Sequence, residues 1–309
     1  MNIYAIIDIG SNSLKMLIYR AINGGMEIIS DRATITGLGA GVYQTGNLSE
    51  KSIVKTIRVF KEYIAKAQAL GVEAVTAIGT MALREAANGG EFLVRAERET
   101  GHKIEVISGE EEARLSYKAA LSLPGLENKK VLIFDLGGGS TEFIYVRDKE
   151  LVERKSLNIG VVNMTEQFLS NDPVTKNQID ELDKYLKNRL ATEIVNKEID
   201  IIVGVGGSVS TMSAVQMELK EYKPGLIHNF HLSREEILRQ IELYRSREIE
   251  RRKEIAGLQA GREEVILAGS VIVKVILSYF NQKEVIVSEQ GLRHGIASEQ
   301  CEKILEEQR

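Results

Sequence analysis

Three short apolar runs along this chain each end at a glycine-rich turn. The clearest lies in Val131–Val146. There Val131, Leu132, Ile133 and Phe134 are continuous, Asp135 closes the run, and Gly137, Gly138, Gly139, Ser140 and Thr141 follow. A short run without polar alternation predicts a strand covered on both faces. Glu142–Val146 then resumes as a second apolar, β-branched strand. The N-terminus repeats the pattern: Ile3–Ile7, then Asp8, Gly10, Ser11, Asn12 and Ser13, then Leu14–Tyr19. A third copy runs from Ile201–Val205 into Gly206, Gly207 and Ser208, and is followed by a helix-like stretch. Three such units are hard to explain as unrelated hairpins.

Between these units the periodicity turns helical. Ser49–Leu70 predicts an amphipathic helix, capped by Ser49, with Ile53, Ile57, Phe60, Ile64 and Ala67 on its buried stripe and Gly71 as its stop. Further strands are expected over Glu27–Thr36, Val72–Ile78, Ile104–Ile107, Leu151–Asn158 and Val285–Ser288. Helices are expected from Met81, over Glu91–Thr100, from Glu110 to about Ala120, from Gly160 to Phe168, and over Gln178–Ile194, Ser208–Glu218, Arg234–Ser246 and Leu292–Gln308. Glu263–Phe280 is apolar from Val265 onward, too short to cross a bilayer unaided, and carries Lys274, so it reads as a buried helix. Lys223–Phe230 reads as a loop. His228 and His231 have no carboxylate or cysteine cluster to complete a metal site, so they read as ordinary loop residues. The mixed charges of Arg245–Glu254 read as a solvated helical face, and Gly37, Gly39 and Gly41 as a loose loop on the substrate side.

Composition narrows the class. A chain of 309 residues is long enough for two domains, and 43% hydrophobic with 27% charged residues is ordinary for a soluble protein. A formal net charge of −4 argues against a general nucleic-acid binder. The single cysteine, Cys301, allows no internal disulfide and points to a reducing compartment. The first residues lack a basic flank and Asp8 interrupts them, so no signal peptide and no membrane span is expected; the cytoplasm is the default setting.

The turns carry the candidate chemistry. A strand that delivers an acid into a glycine-serine turn suits phosphate and a divalent cation: the turn amides face the anion, and the acid faces the metal or its waters. Arg84 and Asn88 are expected one helical turn apart, on a helix that leaves a central strand, where α/β proteins tend to bind ligands. Glu110, Glu111 and Glu112 favour a helix N-terminus, but they point about 100° apart, so at most one or two face a site.

Taken together these motifs resemble the exopolyphosphatase and guanosine pentaphosphate phosphatase family. Asp8-Ile-Gly-Ser-Asn-Ser-Leu is similar to its first phosphate loop, and Phe134-Asp-Leu-Gly-Gly-Gly-Ser-Thr-Glu142 to its second. Thr80-Met-Ala-Leu-Arg84-Glu-Ala-Ala-Asn88 and Ile107-Ser-Gly-Glu-Glu-Glu-Ala-Arg114 resemble two further motifs. Ile255-Ala-Gly-Leu with Arg262–Gly269, and Ser288–Gly295, resemble the last two, and all six stand in the family's order. Ser208, Gln290 and His294 depart from the more usual threonine, tyrosine and glutamate without touching the reaction class.

The resemblance implies an α/β fold with two ribonuclease H-like (actin-like ATPase) lobes and a cleft between them. Residues 1–120 plus 296–309 would form the first lobe and 121–295 the second, with the crossover near Ser116–Leu121 and no helical extension after the core. It implies release of terminal phosphate from polyphosphate, or conversion of guanosine pentaphosphate to the tetraphosphate. Glu112 would be the general base, and Glu142 would hold Mg²⁺ (or Mn²⁺) or orient the water. Asp8 and Asp135 would be metal partners. Ser11, Asn12, Ser13, Arg84, Gly137, Gly138, Gly139, Ser140, Thr141, Gly206, Gly207 and Ser208 would bind phosphate. A homodimer is expected by analogy. The competing readings are an ATP-dependent kinase or ATPase of the same superfamily, and a non-catalytic sensor of guanosine tetraphosphate or polyphosphate.

Overall fold

A computed structural model describes residues 2–22, 25–120 and 122–307. Met1, Leu121, Gln308 and Arg309, which stand at the ends of expected elements or lobes, lie outside the described residues. The chain divides into two compact units. The first runs through Ala119 and is rejoined from Gly291 onward; the second is Ala120–Gln290. The return to the first unit thus comes at Gly291, where the sequence reading placed it at residue 296.

The first unit begins with β1 (Ile3–Ile9), β2 (Ser13–Ile22) and β3 (Gly25–Ile35). It continues through α1 (Val42–Thr45), α2 (Glu50–Ala69), β4 (Ala74–Gly79), α3 (Met81–Glu85), α4 (Gly89–Thr100), β5 (Ile104–Val106) and α5 (Gly109–Ala120). Its sheet order is β3-β2-β1-β4-β5, antiparallel across β3-β2-β1 and parallel across β1-β4-β5. The continuous apolar run of β1 has a simple cause. Ala5, Ile7 and Ile9 pack with Phe60, Ile64 and Phe92 on the α2/α4 side, while Ile6 packs with Leu115, Leu292 and Ile296 on the other. A strand covered on both faces has no polar side to show. The expected stripe of α2 is buried throughout, and Ser49 Oγ accepts the Ser52 amide at 3.2 Å as its cap.

The second unit contains β6 (Lys130–Leu136), β7 (Thr141–Arg147), β8 (Glu150–Leu157), α6 (Val161–Phe168), α7 (Lys176–Glu193), β9 (Ile201–Val205) and α8 (Gly207–Gln216). After these come α9 (Pro224–Ile227), β10 (Phe230–Ser233), α10 (Arg234–Arg245), α11 (Ile249–Arg252), α12 (Ile266–Tyr279) and β11 (Glu284–Ser288); α13 (Leu292–Glu307) then belongs to the first unit. Its sheet order is β10-β11-β9-β6-β7-β8. Without β10 this is the order of the first sheet, with the same pattern of parallel and antiparallel neighbours. Both units therefore carry the ribonuclease H-like order the sequence suggested.

Two expectations are corrected here. The stretch read as a loop over Lys223–Phe230 holds α9 and leads into β10, a strand too short and mixed to show alternation. Arg252, read on a solvated face, is 1% exposed. It donates to the Tyr244 carbonyl at 2.8 Å and the Glu263 carbonyl at 2.9 Å. Lys274, the one charge in α12, pairs with Asp183 on α7.

Candidate active site

The first two glycine turns are built alike. Gly10 N–H donates to the Ser13 carbonyl at 3.1 Å, and Gly137 N–H to the Ser140 carbonyl at 2.9 Å. Each joins antiparallel strands and follows an aspartate at the same spacing, so Asp8 matches Asp135, Ser13 matches Ser140, and Lys15 matches Glu142.

In both turns the backbone carbonyls are consumed inside the unit. Asn12 O accepts the amides of Thr36 (3.1 Å) and Gly37 (3.0 Å), and Ser11 O accepts that of Gly39 (2.7 Å). The loose glycine loop is thus a brace for the first turn. In the second turn Gly137, Gly138 and Gly139 carbonyls accept the amides of Val161 (3.1 Å), Val162 (2.7 Å) and Gly160 (2.9 Å), from the start of α6. Asn163 adds a side-chain donor to Gly139 O at 2.9 Å. A Cβ on Gly160 would stand 2.3 Å from the Gly139 carbonyl carbon, which is why a glycine must be there. With the carbonyls used, the amides of Ser11 and Asn12, and of Gly138, Gly139 and Ser140, have no acceptor among the described residues. Such a row of bare N–H groups is an anion cradle.

The aspartates differ in what faces them. Asp8 is 4% exposed; its Oδ2 lies 3.8 Å from Lys15 Nζ across the β1–β2 hairpin, and its Oδ1 has no hydrogen-bond partner. Asn12 Nδ2 beside it is also buried without an acceptor. Buried polar atoms normally find a partner, so this turn presents one acceptor and one donor to something outside the chain. Asp135 stands directly opposite Glu142 in the β6–β7 register, so the two carboxylates share a sheet face. Glu142 is 1% exposed, and its Oε1 accepts the hydroxyls of Ser140 (2.7 Å) and Ser156 (2.8 Å). Two like charges opposite each other on a sheet are destabilising unless a cation joins them.

Glu112 and Arg84 meet within the first unit. Ser108 caps α5: Glu111 N–H donates to its hydroxyl at 3.1 Å and Glu112 N–H to its carbonyl at 3.0 Å. Of the three adjacent acids only Glu112 is buried; Glu110 is exposed, and Glu111 forms an ion pair with Arg114, which also pairs with Glu299 on α13. Arg84 Nη1 donates to the Ile107 carbonyl at 2.8 Å and lies 3.9 Å from Glu112 Oε2.

Some predicted residues point elsewhere. Asn88 does not share a helix face with Arg84, because α3 ends at Glu85 and Ala86 is extended. Its amide group instead clasps Leu48, accepting from N–H at 2.8 Å and donating to the carbonyl at 3.0 Å. The Thr141 hydroxyl donates to Ile159 O at 2.8 Å inside the core. Ser208 is buried against α12, where a Cβ on Gly269 would stand 2.7 Å from its Oγ.

The third turn opens α8 at Gly206, whose φ of 114° favours glycine. Arg262 covers it so closely that a Cβ on Gly207 would lie 1.8 Å from Nη2. Arg262 is 6% exposed, its Nε donates to Gln259 Oε1 at 3.0 Å, and burial pushes its pKa down against the pull of Tyr222 and Glu289. The motif that contains Arg262 does not reveal its role, and no motif marks Lys15 or Ser156. A basic residue at the place where the second hairpin carries Glu142 was the available signal for Lys15.

The model of the Ppx/GppA phosphatase family matches residues 17–304. The chain belongs to that family. Similar curated proteins include exopolyphosphatase 2 of Mycobacterium tuberculosis, 28% identical over 95% of this chain and 97% of the relative. A bifunctional 3-dehydroquinate synthase/phosphatase of Fusobacterium nucleatum is 32% identical over 96% of this chain, and the chain spans only 46% of it. Among solved structures, the Ppx/GppA family member of Aquifex aeolicus is 36% identical, with TM-score 0.80 over 100% of this chain and 99% of that one. An exopolyphosphatase-like protein is 29% identical, with TM-score 0.92 over 98% and 99%. The Ppx/GppA protein described here is therefore a hydrolase of phosphoanhydride bonds, as its motifs suggested. Among the described residues no helix is long and apolar enough to cross a membrane.

Proposed function

We propose that this Ppx/GppA phosphatase releases terminal orthophosphate from inorganic polyphosphate, and makes the same cut in guanosine pentaphosphate. The observation that carries this is the Glu112–Arg84 pair, a buried carboxylate 3.9 Å from a guanidinium. Phosphoryl transfer asks for a positioned water, a base, and positive charge on the transferred group. Glu112 takes the proton of the water, and Arg84 turns its remaining donors to phosphate oxygens. The bare amides of the first hairpin turn, with Asn12 Nδ2, hold further phosphate oxygens.

The donor set fits Mg²⁺ or Mn²⁺. Among the described residues no three His, Cys, Asp or Glu side chains gather as a metal cluster. Mg²⁺ does not need one, because it keeps several waters and takes one or two carboxylates plus phosphate. Asp135 and Glu142, opposite each other on β6 and β7, would hold the ion, and the unpartnered Asp8 Oδ1 is a further acceptor within the first unit. When bound, the ion neutralises charge on the phosphate oxygens. The buried Cys301 suits the reducing cytoplasm proposed for it.

The test is phosphate release with Mg²⁺ from short and long polyphosphate, guanosine pentaphosphate and ATP, beside Glu112→Gln. Release from polyphosphate, abolished by EDTA and reduced by about 10²–10⁴ in the variant, is the expected result. Turnover of ATP alone would instead support the kinase or ATPase reading. Tight binding without turnover would support the sensor.

A further inference from the structure

The outer face of α2 is a cationic ridge on an acidic protein. We infer that it binds the distal part of long polyphosphate chains while their ends are cut. This inference rests on the polyphosphate reading above.

Helix α2 carries five cations, Lys51, Lys55, Arg58, Lys61 and Lys66, against two acids, Glu50 and Glu62. The whole chain has a formal charge of −4. Lys51, Lys55, Arg58 and Lys66 recur at steps of four, three and eight residues, so they form one stripe about 22 Å long on the side away from the core. Arg58 is shared with Glu62 at 3.8 Å, and Lys61 pairs with Glu99 on α4. Lys51, Lys55 and Lys66 have no acidic partner among the described residues. Arg32 on β3 also has none, and it lies beside Lys66. Partial burial and this second cation together pull the Lys66 ammonium below its ordinary range. Two cations held together without an acid are relieved by an anion.

The second unit supplies an internal control. Helix α7 occupies the matching place, after the third strand of its sheet and before the fourth, and it carries four cations against four acids. A helix in this position therefore does not need a basic surface to fold.

The ridge also starts at the right place. Ser52 Oγ, one residue from Lys51, donates to the Leu38 carbonyl at 3.4 Å, and the adjoining Gly39 amide bonds to Ser11 in the first phosphate turn. The stripe therefore begins at the end of α2 that is tied to that turn. Its aromatics, Phe60 and Tyr63, face the core. No aromatic of the helix lies on that face, so it suits a polymer that is all phosphate better than a single-stranded nucleic acid.

The test compares wild type with a Lys51→Glu, Lys55→Glu, Lys66→Glu triple variant, and with Lys176→Glu, Lys184→Glu on α7. For long polyphosphate we expect the triple variant's KM to rise about tenfold or more, and the log–log salt slope of binding to flatten by about 2. Tripolyphosphate kinetics and the α7 variant should change less than about twofold. Equal losses on short and long chains, or equal losses in the two variants, would overturn the inference. Binding of labelled long polyphosphate to a Glu112→Gln background separates the two claims. Weakened binding in the triple variant, together with no phosphate release from polyphosphate by the enzyme with Glu112 intact, would keep the ridge and remove the proposed function. Displacement of polyphosphate by single-stranded DNA at equal phosphate concentration would overturn the assignment to polyphosphate.

Discussion

The two aspartate hairpins are the same backbone carrying opposite electrostatics. Asp8 faces Lys15 across β1–β2, and Asp135 faces Glu142 across β6–β7. The first pair is close to neutral and leaves the turn amides free to attract an anion. The second pair sets two carboxyl groups opposite each other, the arrangement proposed above to hold a cation. One strand position, two residues after the turn serine, separates the two. Duplicated topology therefore does not imply duplicated chemistry.

Exchanging the pairs is the most severe way to break this comparison. Glu142→Lys gives the second hairpin the first one's charge, and should lower Mg²⁺-dependent phosphate release by about 10³ or more, measured at saturating substrate. Lys15→Glu gives the first hairpin the second one's charge. It should raise KM for polyphosphate about 10–100-fold and change kcat less, which steady-state kinetics would show.

A smaller effect sharpens the comparison of crossovers. In the first unit β4 leads to α3 and Arg84; in the second, β9 leads to a glycine turn under Arg262. Gly207→Ala should cost about 1–3 kcal/mol in denaturant unfolding, because the new methyl collides with the guanidinium. Thr80, which follows β4 as Gly206 follows β9, makes no side-chain cap, so Thr80→Ala should cost less.

The smallest effects concern the scaffolds. Burial alone would raise the Asp183 pKa, but hydrogen bonds from Lys187 and Lys274 outweigh it and hold the carboxyl below its ordinary value. A depressed folded pKa stabilises above the unfolded value near 4 and is lost as pH falls through the folded value. Asp183→Asn should therefore cost about 1–2 kcal/mol at pH 7, and its deficit should shrink in acid melts below about pH 4. In the first unit Asn88→Ala should cost about 1 kcal/mol through the lost Leu48 clasp, without the KM change expected of a phosphate ligand.

How much was legible in the sequence follows from range. The turns, their aspartates and the stripe of α2 are local patterns, so the chain spells them directly. Glu112 stood out among three acids only through the family resemblance; the structure adds that its neighbours are exposed or tied to Arg114. What stayed hidden depends on distant partners. The Thr141 hydroxyl goes to Ile159, Ser156 reaches Glu142 from the next strand, and Arg262 covers Gly207 from 55 positions along the chain. Asn88 was misread because one extended residue, Ala86, ended a helix that the motif's spacing would have continued.

The central claim is that the Asp135–Glu142 hairpin takes the metal and the Asp8–Lys15 hairpin takes phosphate. Mn²⁺ binding followed by electron paramagnetic resonance, without substrate, tests it most directly in wild type, Glu142→Gln and Lys15→Ala. The account predicts at least about tenfold weaker binding in Glu142→Gln and unchanged or tighter binding in Lys15→Ala. Equal Mn²⁺ affinity in wild type and Glu142→Gln would contradict it.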